Sequence, residues 1–302
     1  MGCDSAVEGQ PIICINGEFI PKNLAKIGCL DFGFLYGVGL FETFRTWKGR
    51  LFALERHIER LKRCMRQLGW QTSSHIEKLT EWVYATVRAN ASFLENGQDL
   101  RLRITVTPGA VDFQRGWWEF GGDEPTVVIH AVPLPIGFDE HHEHGLSAAI
   151  APWRRQKDLP LWQVKSSSYF VNVIARRWAR ENGFDEAIWV NSDGNLTEGT
   201  STNFFLVCDS EILTPPPEEG LLPGIGRQVT IELAERLGLK VSQQPLPLNL
   251  IESADEAFLT NAVIGIVPLV KLNHRQLHKM DISKRLRKAY LEYAIAMGTV
   301  AF

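Results

Sequence analysis

One lysine in the second half of the chain stands where it could act as a nucleophile. Lys165 directly precedes a predicted helix, in the run LWQVKSSSYF. Its neighbours Trp162, Val164 and Tyr169 are apolar or aromatic. Apolar surroundings lower the pKa of an amine and favour the neutral form, which is the nucleophile. A surface lysine in a polar turn is the alternative that this residue alone leaves open.

A carboxylate with a suggestive setting follows at Glu198, in the run DGNLTEGTSTNFFLV. Asp193 and Gly194 predict a tight hairpin turn, and Glu198 lies just past it. A carboxylate there could hold a proton on the ring nitrogen of an organic cofactor, the contact that makes such a ring an electron sink. An exposed glutamate beside a turn is the alternative.

A third feature could bind an anion. The run PGIG at residues 223–226 leads directly into an amphipathic helix. The first amides of a helix and its dipole attract phosphate, and glycines permit a close approach. The run is neither a dinucleotide-binding motif nor a P-loop, because the third glycine and the GK[ST] ending are absent. Arg60, in the run ERHIERLKR, could add a guanidinium to a phosphate or simply face solvent.

Other reactive side chains do not form recognisable sites. His141, His142, Glu143 and His144 resemble metal ligands, but consecutive loop residues do not converge readily on one ion, so we expect no metal. There is no GxSxG motif of the serine hydrolases. The five cysteines are scattered without a CxxC pair, a pattern that favours a reduced cytoplasmic protein.

The composition indicates a soluble globular protein. A net charge of -3 and a pI near 6.3 give no basic surface for nucleic acid. The most apolar stretch, residues 257–270, is shorter than the roughly 20 residues that a membrane span needs. The N-terminus lacks the pattern of a signal peptide. We therefore expect a small-molecule ligand, with no nucleic acid and no membrane as partners.

Hydrophobic periodicity predicts a mixed α/β (α+β) fold in two lobes. Asn16–Gly17 predicts a hairpin, and Ser74 with Glu77 resembles a capping box that opens a helix. The runs RLRITVTP and TVVIHAVPLP are predicted strands. Further strands are predicted at about 146–151, 186–191, 203–207, 240–243 and 256–260, and helices at about 54–68, 74–88, 168–182, 226–237 and 282–296. A polar run near residue 135, GFDEHHEHG, predicts an N-terminal domain over residues 1–135 and a C-terminal cofactor-binding domain over 136–302, with the ligand in the cleft between them.

Six segments, in order along the chain, resemble the motifs of the class IV aminotransferases, the fold-type IV pyridoxal phosphate enzymes. They are DFGFLYGVGLFETFR from residue 31, HIERL from 57, KSSSYF from 165, NLTEGTSTNFFLV from 195, LPGIGRQV from 222 and FLTNAVIGIVP from 258. Each segment alone is weak, but their order and spacing over about 250 residues are specific. The resemblance implies a two-domain enzyme with pyridoxal 5'-phosphate in an interdomain active site.

The resemblance also implies a role for each segment. Lys165 would carry the cofactor as a Schiff base and shuttle the proton, and Glu198 would pair with the pyridine nitrogen. Tyr169 would bond the 3-hydroxyl oxygen, and Leu222 would pack under the ring. The phosphate would meet Arg60 and the amides of Ile225 and Gly226. Backbone amides of Asn261 and Ala262 are further candidates, and Phe41, Arg101 and Arg103 are candidate substrate contacts, with one arginine binding a carboxylate.

Three residues depart from the family pattern. Val38 stands in place of an aspartate and Gly226 in place of a threonine. Ala262 falls where branched-chain aminotransferases usually have a threonine, so a side-chain phosphate contact is lost there.

The choice of reaction depends on smaller signals. Branched-chain aminotransferases typically read FEGIR, but here Thr43 takes the glycine position. D-amino-acid aminotransferases usually have an arginine where this chain has Pro108. The run TNAVIGIVP is most similar to aminodeoxychorismate lyases, which eliminate pyruvate to give 4-aminobenzoate. We therefore expect the lyase reaction. A branched-chain or D-amino-acid aminotransferase is the alternative, and a catalytically silent binder of pyridoxal phosphate is disfavoured by the retention of Lys165 with Glu198.

The resemblance also implies a homodimer. The aromatic pair Trp117–Trp118 is one candidate for its interface.

Overall fold

The computed structural model describes residues 10–70, 73–95, 98–114 and 124–302, so Trp117 and Trp118 lie outside the described residues. The chain divides into two compact units. Unit 1 extends to Ile136 and also contains Lys165–Ser168 and Met297–Phe302. Unit 2 consists of Gly137–Val164 and Tyr169–Ala296. The candidate nucleophile Lys165 thus belongs to unit 1, although the segments on either side of Lys165–Ser168 belong to unit 2.

The elements up to Ile136 all belong to unit 1. In chain order they are β1 (Ile12–Ile15), β2 (Glu18–Pro21), α1 (Phe32–Tyr36), β3 (Leu40–Trp47), β4 (Arg50–Leu51), α2 (Leu54–Gln67), α3 (Ser74–Glu77), α4 (Leu79–Asn90), β5 (Leu100–Thr107) and β6 (Thr126–Pro133).

The elements of unit 2 follow. They are α5 (Phe138–Glu143), β7 (Leu146–Arg155), α6 (Phe170–Glu181), β8 (Glu186–Asn191), β9 (Asn195–Gly199), β10 (Asn203–Cys208), β11 (Glu211–Thr214), α7 (Ile225–Arg236), β12 (Val241–Gln243), β13 (Leu246–Pro247), β14 (Glu256–Asn261), β15 (Gly265–Leu272), β16 (Arg275–Gln276) and α8 (Asp281–Met297). The chain closes with β17 (Thr299–Val300), a strand of unit 1.

Unit 1 is built on one antiparallel sheet with the strand order β17-β4-β3-β5-β6-β1-β2. Leu102, Ile104 and Val106 of β5 are fully buried, as expected for alternate residues on the core face of a strand. Helices α2 and α4 pack on β3, β6 and β1. Arg101 and Arg103 occupy the opposite face of β5, so the period of two in RLRITVT predicts both the strand and its two faces.

Unit 2 contains a mixed sheet with the strand order β12-β11-β10-β14-β15-β7-β8-β9-β13. Strand β7 runs parallel to β8 and β15, whereas β14 is antiparallel to β10 and β15. Helix α6 packs on β7 and β8, and α7 packs on β14 and β15. The core includes Ile188, Val190, Phe204, Leu206 and Leu259, all of which are fully buried.

The structure corrects two sequence expectations. Ser74 does not open a long helix as the first residue of a capping box. The N-cap is Ser73, its side chain makes no capping hydrogen bond, and the segment divides into α3 and α4 at Lys78. The polar run after residue 135 is not a loop, because it forms α5, where His142 Nδ1 lies 2.6 Å from the Phe138 carbonyl.

Candidate active site

Lys165 is positioned by backbone hydrogen bonds to β3. The Phe41 amide donates to the Lys165 carbonyl at 2.9 Å, and the Ser167 amide donates to the Gly39 carbonyl at 2.7 Å. The segments approach closely because Gly39 has no side chain, and a Cβ there would lie 2.5 Å from Ser167 Oγ. Lys165 is half-buried, with Nζ 4.5 Å from the centre of the Phe41 ring. The amine therefore lies against an aromatic surface.

Arg103 shares that aromatic surface. Its Cζ lies 3.8 Å from the centre of the Phe41 ring, and its Nε donates to Thr105 Oγ1 at 3.1 Å. Strand register explains the contact, because β3 and β5 pair Phe41 with Thr105 and bring Arg103 onto the same sheet face. Arg101, two residues earlier on that face, is exposed. Of the two arginines proposed from sequence, Arg103 is thus the one stacked on the ring that contacts Lys165.

Arg60 lies in a buried charged cluster that sequence reasoning missed. Its Nε donates to Glu42 Oε1 at 2.8 Å and its Nη2 to Glu42 Oε2 at 2.6 Å. His57 Nδ1 lies 2.7 Å from the same Oε2. All three side chains are at most 5% exposed, so solvent does not screen the cluster. His57 and Arg60 are three residues apart on α2 and both reach Glu42 of β3.

The electrostatics of this cluster fix its charges. Burial acts to raise the pKa of Glu42, but the charge of Arg60 and hydrogen bonds from Arg60 and His57 outweigh burial and lower that pKa to about 2. Burial lowers the pKa of His57, only partly offset by Glu42, and the positive charges of Arg60 and Lys165 lower it further. A neutral His57 therefore donates its Nδ1 proton to an ionised Glu42, and the carboxylate fixes the orientation of the Arg60 guanidinium.

Glu198 of β9 accepts hydrogen bonds from side-chain and backbone donors of unit 2. Arg155 Nη1 donates to Oε1 at 2.8 Å. The Leu222 amide and Asn203 Nδ2 donate to Oε2 at 3.1 and 3.4 Å. Asn203 pairs with Glu198 across β9 and β10, and its side-chain Nδ2 also donates to the Leu222 carbonyl at 2.9 Å. The carboxylate is thus fixed in position and joined to the loop before α7.

Arg155 is a buried cation that sequence reasoning also missed. Its side chain is 2% exposed, and Nη2 donates to Asn172 Oδ1 at 2.6 Å. The guanidinium lies 4.3 Å from the Trp162 ring and 4.5 Å from the Trp189 ring. Burial lowers the pKa of Arg155, and the negative charge of Glu198 offsets part of that effect.

The start of α7 leaves room for an anion. The N-cap is Gly224, so no side chain caps the first amides of the helix. A Cβ at Gly224 would overlap the Asn203 side-chain oxygen, and one at Gly226 would lie 2.9 Å from Thr260 Oγ1. Both positions therefore require glycine. Thr260 is fully buried, and its hydroxyl has no hydrogen-bond partner in the part of the chain that the structure describes.

Two further predicted residues occupy defined positions in unit 2. Asn261 Oδ1 accepts from the amides of Val263 and Ile264 at 2.8 and 2.9 Å, which fixes the turn that begins at Ala262. Tyr169 is the residue immediately before α6, and its hydroxyl donates to the Thr200 carbonyl.

Comparison with known proteins identifies the family. The model of the family described as "Amino-transferase class IV" matches residues 39–272, which is most of the chain. The chain belongs to the class IV aminotransferase family. The resemblance seen in the sequence motifs is confirmed, and so is the expectation of an enzyme.

Similar proteins span most of this chain. A protein of Methanocaldococcus jannaschii with the name "Putative branched-chain-amino-acid aminotransferase" is 32% identical, covering 95% of this chain and 97% of that protein. Aminodeoxychorismate lyase of Bacillus subtilis is 31% identical, covering 86% of each. The crystal structure of a branched-chain aminotransferase from Thermoproteus uzoniensis with norvaline superposes with a TM-score of 0.86 at 29% identity, covering 96% of each chain. The predicted α/β fold of the class IV aminotransferases is therefore confirmed.

Membership of this family also confirms pyridoxal phosphate as the cofactor of the chain. Its residues fit that group. The uncapped α7 amides and the buried, unpartnered Thr260 hydroxyl suit a phosphate. The Lys165 amine suits an aldehyde carbon, and the fixed carboxylate of Glu198 suits a protonated ring nitrogen.

Within residues 10–70, 73–95, 98–114 and 124–302, no group of three or more His, Cys, Asp or Glu side chains could hold a metal ion. No helix among the described residues is long and apolar enough to cross a membrane.

Proposed function

We propose that this chain is a pyridoxal phosphate-dependent aminotransferase of amino acids, with branched-chain amino acids as its first candidate substrates. The contact of one ring, Phe41, with both Lys165 and Arg103 carries the proposal. It places a cation for a substrate carboxylate one aromatic ring away from the reactive amine. The branched-chain aminotransferases among the relatives support this reaction more strongly than the lyase reaction that the sequence motifs favoured.

Lys165 is the catalytic residue of the proposal. Pyridoxal phosphate, when bound, withdraws electrons from the substrate α-carbon. Nζ of Lys165 would hold the cofactor by its aldehyde carbon and, when free, would take up and return the proton of the substrate α-carbon. The Phe41 ring shields this amine on one side.

Glu198 would accept a hydrogen bond from the protonated ring nitrogen. Arg155 holds one oxygen of the carboxylate, and the Leu222 amide and Asn203 hold the other. The Leu222 side chain would pack under the ring, and the Tyr169 hydroxyl would contact the 3-hydroxyl oxygen.

The amides of Ile225 and Gly226 at the start of α7 would hold the phosphate. Arg60 would contribute positive charge, in an orientation fixed by Glu42. The backbone amides of Asn261 and Ala262 would be further phosphate donors. Arg103 orients the substrate through its carboxylate.

Aminodeoxychorismate lyase remains the second candidate because of Thr43. The hydroxyl of Thr43 is buried without a partner among the described residues, and β3 pairs this residue with Arg103. A hydroxyl beside a guanidinium suits a more polar substrate than a branched aliphatic side chain. The Bacillus subtilis lyase is a relative that supports this reading.

One assay separates the two reactions. The purified enzyme is given leucine or isoleucine with 2-oxoglutarate and, separately, aminodeoxychorismate without any keto acid. Transfer of the amino group that depends on the keto acid supports the aminotransferase. Release of pyruvate and 4-aminobenzoate without an acceptor would establish the lyase instead. A wild-type protein that stays colourless with added pyridoxal phosphate would overturn both.

The proposed assembly is a homodimer. Apolar side chains on α6 are exposed, with 75% of Phe170 and 55% of Val173 accessible, and Phe34 of α1 is 74% exposed. Apolar surface of this kind is typical of an interface. Light scattering should give the mass of two chains, and the mass of one chain would contradict the proposal. The proposed compartment is the cytoplasm, since the cysteines among the described residues are free.

A further inference from the structure

We propose that Thr260 donates a hydrogen bond to the cofactor phosphate through space that Gly226 leaves open. The inference rests on the proposed function, in which the phosphate binds at the start of α7. It adds a phosphate ligand that none of the sequence motifs indicates.

The Thr260 side chain is the first observation. It is completely buried near the end of β14, and its Oγ1 has no hydrogen-bond partner within the described ranges. A buried hydroxyl without a partner destabilises a protein, because water solvates it in the unfolded chain. Such groups are rare, and a bound ligand is one of the few things that can satisfy them.

The position of this hydroxyl is the second observation. Oγ1 lies 2.9 Å from the place where a Cβ on Gly226 would be, and Gly226 is the second residue of α7. The first amides of α7 have no side-chain cap, and the Gly226 carbonyl already accepts from Thr230 Oγ1 at 2.8 Å. Backbone donors and one unpartnered hydroxyl therefore lie together at the positive end of a helix dipole, an arrangement that suits a phosphate dianion.

The identity of residue 226 links the two observations. Any larger residue there would press on Thr260 Oγ1 and on the backbone of Asn261, whose carbon would lie 3.1 Å from the added Cβ. Gly226 does not need the left-handed backbone region, so the close approach accounts for the glycine. Because residue 226 has no side chain, a ligand at the start of α7 can reach the hydroxyl of Thr260. Thr260 in this way makes up for the side-chain contacts that Gly226 and Ala262 do not provide.

The test compares cofactor affinities of apoenzymes. Wild type, Thr260→Val and Thr260→Ser are titrated with pyridoxal phosphate, and with pyridoxal, which has the ring and aldehyde without the phosphate. Loss of a charge-assisted hydrogen bond should weaken pyridoxal phosphate binding by Thr260→Val about 10- to 100-fold. Thr260→Ser retains the hydroxyl and should bind within about threefold of wild type. Pyridoxal should bind all three proteins alike.

A second readout separates a ligand contact from a structural role. Because Oγ1 has no partner in the folded chain, apo Thr260→Val should melt at the same temperature as the wild type or higher. Gly226→Ala, which covers the hydroxyl, should weaken binding of the phosphate form, and its effect should vanish in the Thr260→Val background. Equal pyridoxal phosphate affinity of Thr260→Val and wild type would overturn this inference alone. A wild type that binds no pyridoxal phosphate would overturn the proposed function and the inference with it.

Discussion

The buried cluster of Glu42, His57 and Arg60 allows a quantitative prediction. Glu42→Gln removes the negative charge but keeps the size of the side chain. Arg60 is then a buried cation without its counter-charge, and its Nε and Nη2 lose the carboxylate that they contact at 2.8 and 2.6 Å. We expect a loss of stability in unit 1 and weaker retention of the cofactor phosphate.

The size of the expected stability loss follows from the pKa of Glu42 and from the cost of a buried charge without its partner. The pKa of Glu42 falls from its usual 4.5 to about 2. A fall of roughly 2.5 units corresponds to about 3 kcal/mol of interaction that favours the charged form. Removing one partner of a buried ion pair costs about 3–5 kcal/mol. The two estimates agree, and about 3 kcal/mol is a large share of the roughly 5–15 kcal/mol that stabilises a folded protein.

The direction in which stability changes with pH follows from the coupling of proton binding to folding. Glu42 has a lower pKa in the folded than in the unfolded chain, so the unfolded chain binds its proton first as pH falls. Its contribution is therefore complete above pH 4.5 and is lost as pH falls towards about 2. The lowered pKa of His57 changes stability in the same direction. Its contribution to the stability of the folded chain is complete above pH 6.5, the usual pKa of histidine, and is lost below that pH. The stability difference between wild type and Glu42→Gln should shrink across the lower of these windows.

The assay is urea unfolding of the apoenzyme, followed by tryptophan fluorescence from neutral to acidic pH. The matched control is Glu59→Gln, which breaks an ion pair between Glu59 and Arg66 within the same helix α2, with side chains 64% and 57% exposed. Solvent screens an exposed pair, so Glu59→Gln should be indistinguishable from wild type. A Glu42→Gln variant no less stable than Glu59→Gln, or a stability difference that does not change at acidic pH, would refute the electrostatic account.

The remaining predictions concern the residues around the cofactor and substrate. Arg155→Gln should lower kcat about 10-fold or more, because Glu198 Oε1 loses the guanidinium that donates to it at 2.8 Å. An unchanged kcat would count against this role. Arg103→Met should raise KM for substrate carboxylates by about 10- to 100-fold, through the loss of a charge-assisted contact. Arg101→Met, on the same strand face but exposed, should leave KM nearly unchanged, and equal effects of the two variants would exclude Arg103 as the carboxylate ligand.

Several features of the fold could be predicted because they depend on local patterns. The alternation in RLRITVT gives strand β5 and places Arg101 and Arg103 on one face. Asn16 and Gly17 have positive φ angles of 51° and 89° in the predicted hairpin. The apolar spacing of residues 54–68 gives α2, which ends one residue earlier than predicted, at Gln67. In each case the pattern itself determines the structure.

The parts of the site that sequence reasoning missed depend on long-range pairing. The i, i+3 spacing of His57 and Arg60 indicates a shared helix face, but only packing of α2 on β3 brings Glu42 to them. Arg155 is buried and its neighbour Arg154 is exposed, a difference set by the register of β7 with β8. Nothing in the local sequence separates these two arginines. In the sequence Thr260 resembles any other threonine of a strand, and only the packing of α7 on β14 distinguishes it.

In the proposed function Lys165 holds pyridoxal phosphate covalently. Borohydride reduction of the holoenzyme fixes this bond, and proteolysis with mass spectrometry then locates the modified residue. We expect the pyridoxyl group on the peptide that contains Lys165, and a colourless Lys165→Ala protein that carries no such group. Reduction that places the group on another lysine, or on none, would contradict it.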